Sequence, residues 1–273
     1  MDGAAGMIQD RVAELAAGWR ACGLEPGDAV LVHSSLGRTL RRLAKAGVGP
    51  HEAVQAVLLS FLEAIGPDGT LLLPLFNFDF AKGGAFDIRT TPSQMGALTE
   101  AARKHPGAVR TGHPIYSFAV IGGEACRFAG LENLSGYGPD SPFALLKALD
   151  GKVAVLDLPD QQSMTFYHFV EEACAVPWRY HKRFEGDYAG WDGLEQRRAF
   201  SLFVRDLERG VATHVDPMGE RLWAQDLYRG DRPGQGRGLR TIGARPLYDA
   251  VAAVIAAGEA EGLLYRIHGS AAA

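Results

Sequence analysis

The chain has 273 residues, 47% of them apolar and 22% charged, enough length and hydrophobicity to bury a core and too much of both for disorder. Its 28 Lys and Arg against 32 Asp and Glu leave a net charge of -4, which excludes the strong basic excess of a nucleic-acid binder. No run reaches the roughly 18 uninterrupted apolar residues of a membrane span, and no basic-then-apolar leader opens the chain, so the cytoplasm is the expected location.

Residues 7–21 place Val12, Leu15, Ala16 and Trp19 at helical spacing, with Gly23 as a stop and Pro26-Gly27-Asp28 as a turn. Ala29 to Val32 is a short apolar run that suits a buried strand, and it ends in His33-Ser34-Ser35-Leu36-Gly37. The cycle repeats. A helix is predicted over 51–65, started by Pro50 and stopped by Gly66-Pro67-Asp68-Gly69, and a strand over 70–75. Thr91-Pro92-Ser93 opens a helix predicted to run to His105, with Ser93 as its N-cap. Strands are predicted at 117–122 and 153–158, and a helix at 163–175. Beyond Pro177 the pattern loosens. Alternation marks 179–184 and 200–204, the Gly- and Arg-rich stretch 229–240 reads as an exposed loop, a helix covers 247–257, and a strand covers 263–267.

Apolar strands alternating with helices predict an α/β fold: a central mixed, largely parallel sheet with helices on both faces and a less regular C-terminal portion. We treat 1–273 as one domain. Ligands in such sheets bind at the carboxyl ends of the strands, where the polar residues of this chain cluster. The three cysteines, Cys22, Cys126 and Cys174, are scattered and lack a CxxC pair. Neither a disulfide framework nor a metal site is expected of them, only small buried side chains.

Four segments could carry chemistry. The strand-end hydroxyls of Ser34 and Ser35 could hold a phosphate or simply begin a helix. Arg110-Thr111-Gly112-His113-Pro114, followed by Ser117-Phe118, could bind a ligand through a forked guanidinium or form an ordinary turn. Tyr137-Gly138-Pro139-Asp140-Ser141-Pro142 is a turn in which Ser141 suits a helix cap. In Thr165-Phe166-Tyr167-His168-Phe169-Val170-Glu171-Glu172, His168 and Glu171 share one helix face. A carboxylate beside an imidazole raises its basicity and fixes its tautomer, which is the equipment of a general base. The His-x-x-Glu spacing lacks the second His of a zinc helix, so no metal is expected.

These motifs, with Gly-Thr-Leu-Leu-Leu-Pro-Leu-Phe and Thr-Pro-Ser-Gln-Met-Gly-Ala-Leu, occur in an order that resembles the aminoglycoside 3-N-acetyltransferase family. The likeness spans about 27–183; the remainder, 184–273, is only loosely similar and would contribute to the acceptor side. The resemblance implies acetyl-CoA as donor and an amine as acceptor, with His168 as base, Glu171 behind it and a hydroxyl such as Thr165 at the oxyanion. It implies a donor site at His33, Ser34, Ser35, Leu36, Arg110, Ser117, Phe118 and Ser141. Phe76, His113 and Tyr137 are candidates for the acceptor side, and a polycationic acceptor would need carboxylates, for which Asp79, Asp87, Glu172, Glu185 and Asp187 are candidates. Met164 before Thr165, and Leu75 between Pro74 and Phe76, depart from the family pattern. If Arg229, Arg232, Arg237 and Arg240 faced the site, they would suit a nucleotide-linked aminosugar instead. A CoA-binding protein without catalysis is the rival of another class, though binding alone needs no base. A homodimer is one assembly open to the chain.

Overall fold

The computed structural model describes residues 2–267, with side chains from residue 6 onward. The elements in order are α1 (Asp2–Ala21), β1 (Ala29–Ser34), α2 (Gly37–Lys45), α3 (Pro50–Ile65), β2 (Thr70–Pro74), β3 (Phe86–Asp87), α4 (Ala97–Arg103), β4 (Val109–Arg110), β5 (Phe118–Gly122), α5 (Ala125–Phe128) and α6 (Pro142–Ala148). There follow β6 (Lys152–Leu156), α7 (Phe166–Ala173), β7 (Arg179–Ala189), β8 (Glu195–Arg205), β9 (Val211–Thr213), α8 (Asp216–Ala224), β10 (Arg229–Gly230), β11 (Leu239–Gly243), α9 (Ala244–Ala256) and β12 (Tyr265–Ile267).

The main sheet has the order β10-β11-β6-β1-β2-β5-β4. Its central strands β6, β1 and β2 run parallel, and β11 and β5 flank them antiparallel. Neighbouring residues of one strand enter different cores. Val30 and Val32 of β1, with Ala154 and Leu156 of β6, pack in one cluster with α1, α3 and α4; Leu31, Val153 and Val155 pack in the other with α6, α7 and α9. Burial on both faces is why these strands read as unbroken apolar runs. The Trp19 and Phe61 rings stack 5.1 Å apart and fasten α1 to α3.

A second sheet, β3-β7-β8, is built on the hairpin β7–β8. Its paired register runs from Arg179↔Arg205 to Ala189↔Glu195, well beyond the alternation visible in the sequence.

Several expectations change. The stretch 229–240 is an exposed loop only in its middle, where Arg232 and Arg237 are exposed; its ends are β10 and β11, and Arg240 is fully buried. The helix expected from Ser93 starts at Ala97, after Gly96 at φ +111°. Ser93 instead accepts from the Met95 N–H and bonds the Thr99 hydroxyl, holding an open turn. The helix expected over 163–175 is shorter, with a single 3-10 turn over Asp160–Gln162 ahead of it. Cys126 is exposed and Cys22 and Cys174 are half-buried, all free thiols rather than core residues.

Candidate active site

Helix α7 buries Phe166, Tyr167, Phe169 and Val170, which fixes how its polar residues face. His168 and Glu171 lie one turn apart, and His168 Nδ1 is 2.8 Å from Glu171 Oε2. After α7 the chain reverses at Ala175, at φ +48°, and returns Trp178 and Arg179 to the same carboxylate. Trp178 Nε1 donates to Oε1 at 2.9 Å, and Arg179 Nε stands 2.7 Å from Oε2. Glu171 is 2% exposed. Burial pushes its carboxyl up, but the Arg179 guanidinium and the bonds from His168 and Trp178 outweigh that and hold it below the usual range.

Burial, and next the Arg179 guanidinium, push the His168 imidazole below its ordinary value against the pull of Glu171. The ring is therefore neutral at physiological pH. With the carboxylate accepting at Nδ1, the proton is assigned there and Nε2 carries the lone pair.

His168 borders two cavities. One, of about 220 Å³, is lined by His33, Phe76, Phe78, Met95 and residues 160–165. The other, of about 380 Å³, is lined by Tyr116, Tyr137, Arg179 and side chains of β7 and β8. A larger space of about 710 Å³ lies beyond Tyr137, between α6, α7 and α9, and His168 takes no part in it. Size and chemistry separate here, and we place the candidate site at His168, where a base meets two cavities.

Several expected residues converge on it. Thr165 Oγ1 is 3.4 Å from His33 Nε2, and both line the smaller cavity with Phe76. His33 is pushed down to about 3 by burial and by Arg240, so it stays neutral. Ser34 and Ser35 sit half-buried at the carboxyl end of β1, and Leu36 precedes α2 without a side-chain cap. Tyr137 stands with its ring 5.4 Å from that of His168. Glu172 opens to the larger space, where its carboxylate accepts from Ser135 Oγ at 2.7 Å, and burial pushes its carboxyl up.

Others are committed elsewhere. Arg110 is buried, with Nε and Nη2 on Ser117 Oγ at 3.2 and 3.1 Å and Nη1 on the carbonyls of Ile88 and Thr91. Both residues tie the sheet edge to 88–91 and leave no group for a donor phosphate. Phe118 is fully buried, edge-on to Phe76 and Phe143. Ser141 is fully buried and caps α6 by accepting from the Ala144 N–H. His113 accepts the Ile115 and Tyr116 N–H groups at Nδ1 and meets the Ser201 carbonyl at Nε2; burial pushes it down to about 3. It is a neutral turn organiser, not an acceptor contact. Asp79 is exposed and lines neither cavity; Glu185 is exposed and pairs with Arg183 at 2.9 Å. Among the described residues no group of His, Cys, Asp and Glu could hold a metal ion, and no helix is long and apolar enough to cross a membrane.

Sequence reasoning missed Trp178 and Arg179, which orient Glu171, and Tyr116, Lys182 and Arg205, which line the 380 Å³ cavity. It also missed a buried cluster in which Asp160 accepts from Tyr167, Tyr228 and Arg240. Pro177-Trp178-Arg179, just after the helix, was the available signal for the first pair; the others carry none locally.

The family model described as aminoglycoside 3-N-acetyltransferase matches residues 31–256. The chain is 30% identical over 249 residues to the aminoglycoside N(3)-acetyltransferase VII of Streptomyces paromomycinus, covering 82% of this chain and 81% of that one. It is 32% identical over 171 residues to the type IV enzyme of a Salmonella species, 62% of this chain and 61% of that one. The crystal structure of aminoglycoside acetyltransferase AAC(3)-Xa superposes with a TM-score of 0.72 at 25% identity, over 94% of this chain and 97% of that one. A binary complex of AAC-IIIb with CoASH shares the fold, with a TM-score of 0.73 at 23% identity over 90% and 96%. A family match over most of the length, with a relative 30% identical over four fifths of both chains, places the chain in the aminoglycoside 3-N-acetyltransferase family.

Proposed function

We propose that the chain transfers an acetyl group from acetyl-CoA to an amine of an aminoglycoside or related aminosugar by direct attack, with His168 as general base. One observation carries this reading: a neutral imidazole whose Nδ1 is held by a buried carboxylate, on a residue that borders two cavities.

The smaller cavity suits the donor. Next to it, among the described residues, the Ser34 and Ser35 hydroxyls and the first amides of α2 take no side-chain cap, and α2 carries Arg38, Arg41 and Arg42. Free N–H groups, hydroxyls and guanidinium groups are the equipment for holding phosphates. The aromatic and apolar lining from Phe76, Phe78 and Met95 suits an uncharged arm. Bound there, acetyl-CoA supplies an activated acyl group.

His168 Nε2 takes the proton that the amine loses as its bond to the acyl carbon forms. Glu171 accepts from the imidazolium that results, and Arg179 keeps that carboxylate ionised. His168 then returns the proton to the sulfur as the C–S bond breaks, so amide and free thiol leave with atoms and charge balanced. The Thr165 hydroxyl, on the same cavity wall, can donate to the carbonyl oxygen as it gains charge. No cysteine lines either cavity at His168, which favours direct transfer over an acyl-enzyme.

The test is release of free thiol from acetyl-CoA against a panel of aminoglycosides and aminosugars. His168→Ala should lower kcat by about 10² to 10⁴ with an unchanged thermal melt. A mutant as fast as wild type would remove His168 from this role; no release with any amine would favour binding without catalysis.

A further inference from the structure

We infer that the acceptor amine belongs to a molecule that also carries an anionic group, a phosphate or a carboxylate, bound beside His168 by Lys182 and Arg205. The inference rests on the transferase reading, which makes His168 the point where the amine must arrive, and it narrows that reading away from polycations.

The 380 Å³ cavity is lined by cations and aromatic rings. Arg179, Lys182 and Arg205 are there, and no carboxylate is, among the described residues. A polycationic acceptor would meet like charges in a partly enclosed space, where Coulomb terms are larger than in bulk water. The carboxylates expected to receive such an acceptor are elsewhere: Asp79 and Glu185 are solvent-facing, Asp87 and Asp187 pair with Arg89 and Arg197, and Glu172 is turned to the neighbouring space and bonded to Ser135. Glu171 is already matched by Arg179.

The cations differ in their partners. Arg179 has Glu171. Arg205 makes only a 3.5 Å contact to the Thr213 hydroxyl, and Lys182 only a 5.6 Å approach to the Phe184 ring. The hairpin register sets Arg179 directly opposite Arg205. Like charges facing each other across two strands destabilise the pair. One carboxylate serves two facing guanidinium groups, so the cavity holds an uncompensated positive charge beside the base, and a bound anion would neutralise it.

The donor does not require these two residues, because neither lines the smaller cavity proposed for it, which His33 joins to the strand end of Ser34. Arg205 also helps to keep His168 neutral, so the same charge that attracts an anion favours the free base. Tyr116 and Tyr137, with ring centroids 4.9 Å apart, offer a wall for the body of a sugar.

The test compares neutral glucosamine, glucosamine 6-phosphate, the carboxylate-bearing muramic acid and the polycation neomycin as acceptors. Calorimetric binding of each to the His168→Ala protein runs alongside. The expected result is tighter binding and a lower KM for one or both anionic amines, the two telling phosphate from carboxylate, with a KM that rises with added salt. Lys182→Gln with Arg205→Gln should raise that KM about tenfold or more and leave the KM for acetyl-CoA within about twofold, as loss of one charge-assisted contact predicts. Equal affinity across the four amines, a preference for neomycin, or a rise confined to the acetyl-CoA KM would each overturn the inference. Selective binding of an anionic amine with no thiol release would instead count against the transferase reading and leave this inference standing.

Discussion

Two buried carboxylates in this molecule are built alike and serve different ends. Asp160 and Glu171 are each 2% exposed or less. Each meets an arginine from a strand, Arg240 of β11 far along the chain or Arg179 of β7 just after the helix, and each accepts from an aromatic donor. Around Asp160 every partner is itself buried: Tyr167, Tyr228 and Arg240 close the shell, and α8 packs so near that a Cβ on Gly219 would lie 2.4 Å from Oδ2. Burial pushes the Asp160 carboxyl up against the pull of its partners. Around Glu171 the shell contains His168, which borders both cavities. A closed shell fixes the segment 157–165 under the smaller cavity; an open one leaves a titratable imidazole at the cavities. The lesson is that a buried ion pair is chemically informative only when one partner titrates and still reaches solvent or substrate.

The largest effect should come from breaking the closed shell. Asp160→Ala leaves Arg240 buried without a counter-charge, which should cost about 3 to 5 kcal/mol of unfolding free energy in a urea titration. Replacing both, Asp160→Leu with Arg240→Met, should recover most of it, because no charge is then left unpaired. A cost below about 1 kcal/mol for the single variant would show that the shell does not hold the fold.

The open shell should respond in its chemistry. Glu171→Gln should lower kcat on the order of 10²-fold, since the imidazolium formed in the reaction loses its carboxylate. Glu171 raises the His168 pKa while burial and Arg179 lower it, so the variant's acidic limb of kcat/KM should move to lower pH than the wild type's, itself below 6.5. A limb that stays in place while kcat falls would mean that Glu171 only positions the ring.

The two shells also differ in how far the sequence disclosed them. His168 and Glu171 were legible because both lie on one helical turn, and the strand-end serines because they follow an apolar run immediately. The central α/β sheet was legible for the same reason: its strands are buried on both faces. Arg179 reaches Glu171 only because the chain reverses at Ala175. Arg240 looks in sequence like Arg229, Arg232 and Arg237, set among glycines. It is buried because β11 pairs antiparallel with β6, which sets it opposite Val155. Nothing local separates an arginine bound for a sheet interior from one bound for solvent. The 380 Å³ cavity was the least legible part, since it depends on the hairpin register and on 116 and 137 meeting it from other segments.

The smallest effect gives the sharpest view of the open shell. Arg205 faces Arg179 across the hairpin and lowers the His168 pKa, though less than burial and Arg179 do. Arg205→Gln removes that repulsion, so His168 should hold its proton to a higher pH than in wild type. Glu171→Gln should move the same titration the opposite way. Both can be followed by NMR of the imidazole nitrogens in the protein without acceptor, so the result does not depend on which amine is the substrate. Shifts of opposite sign would place His168 in one field with the Glu171 carboxylate on one side and the hairpin arginines on the other. Shifts of the same sign, or none with Arg205→Gln, would detach the hairpin from the base and leave the charge of the cavity without influence on the chemistry beside it.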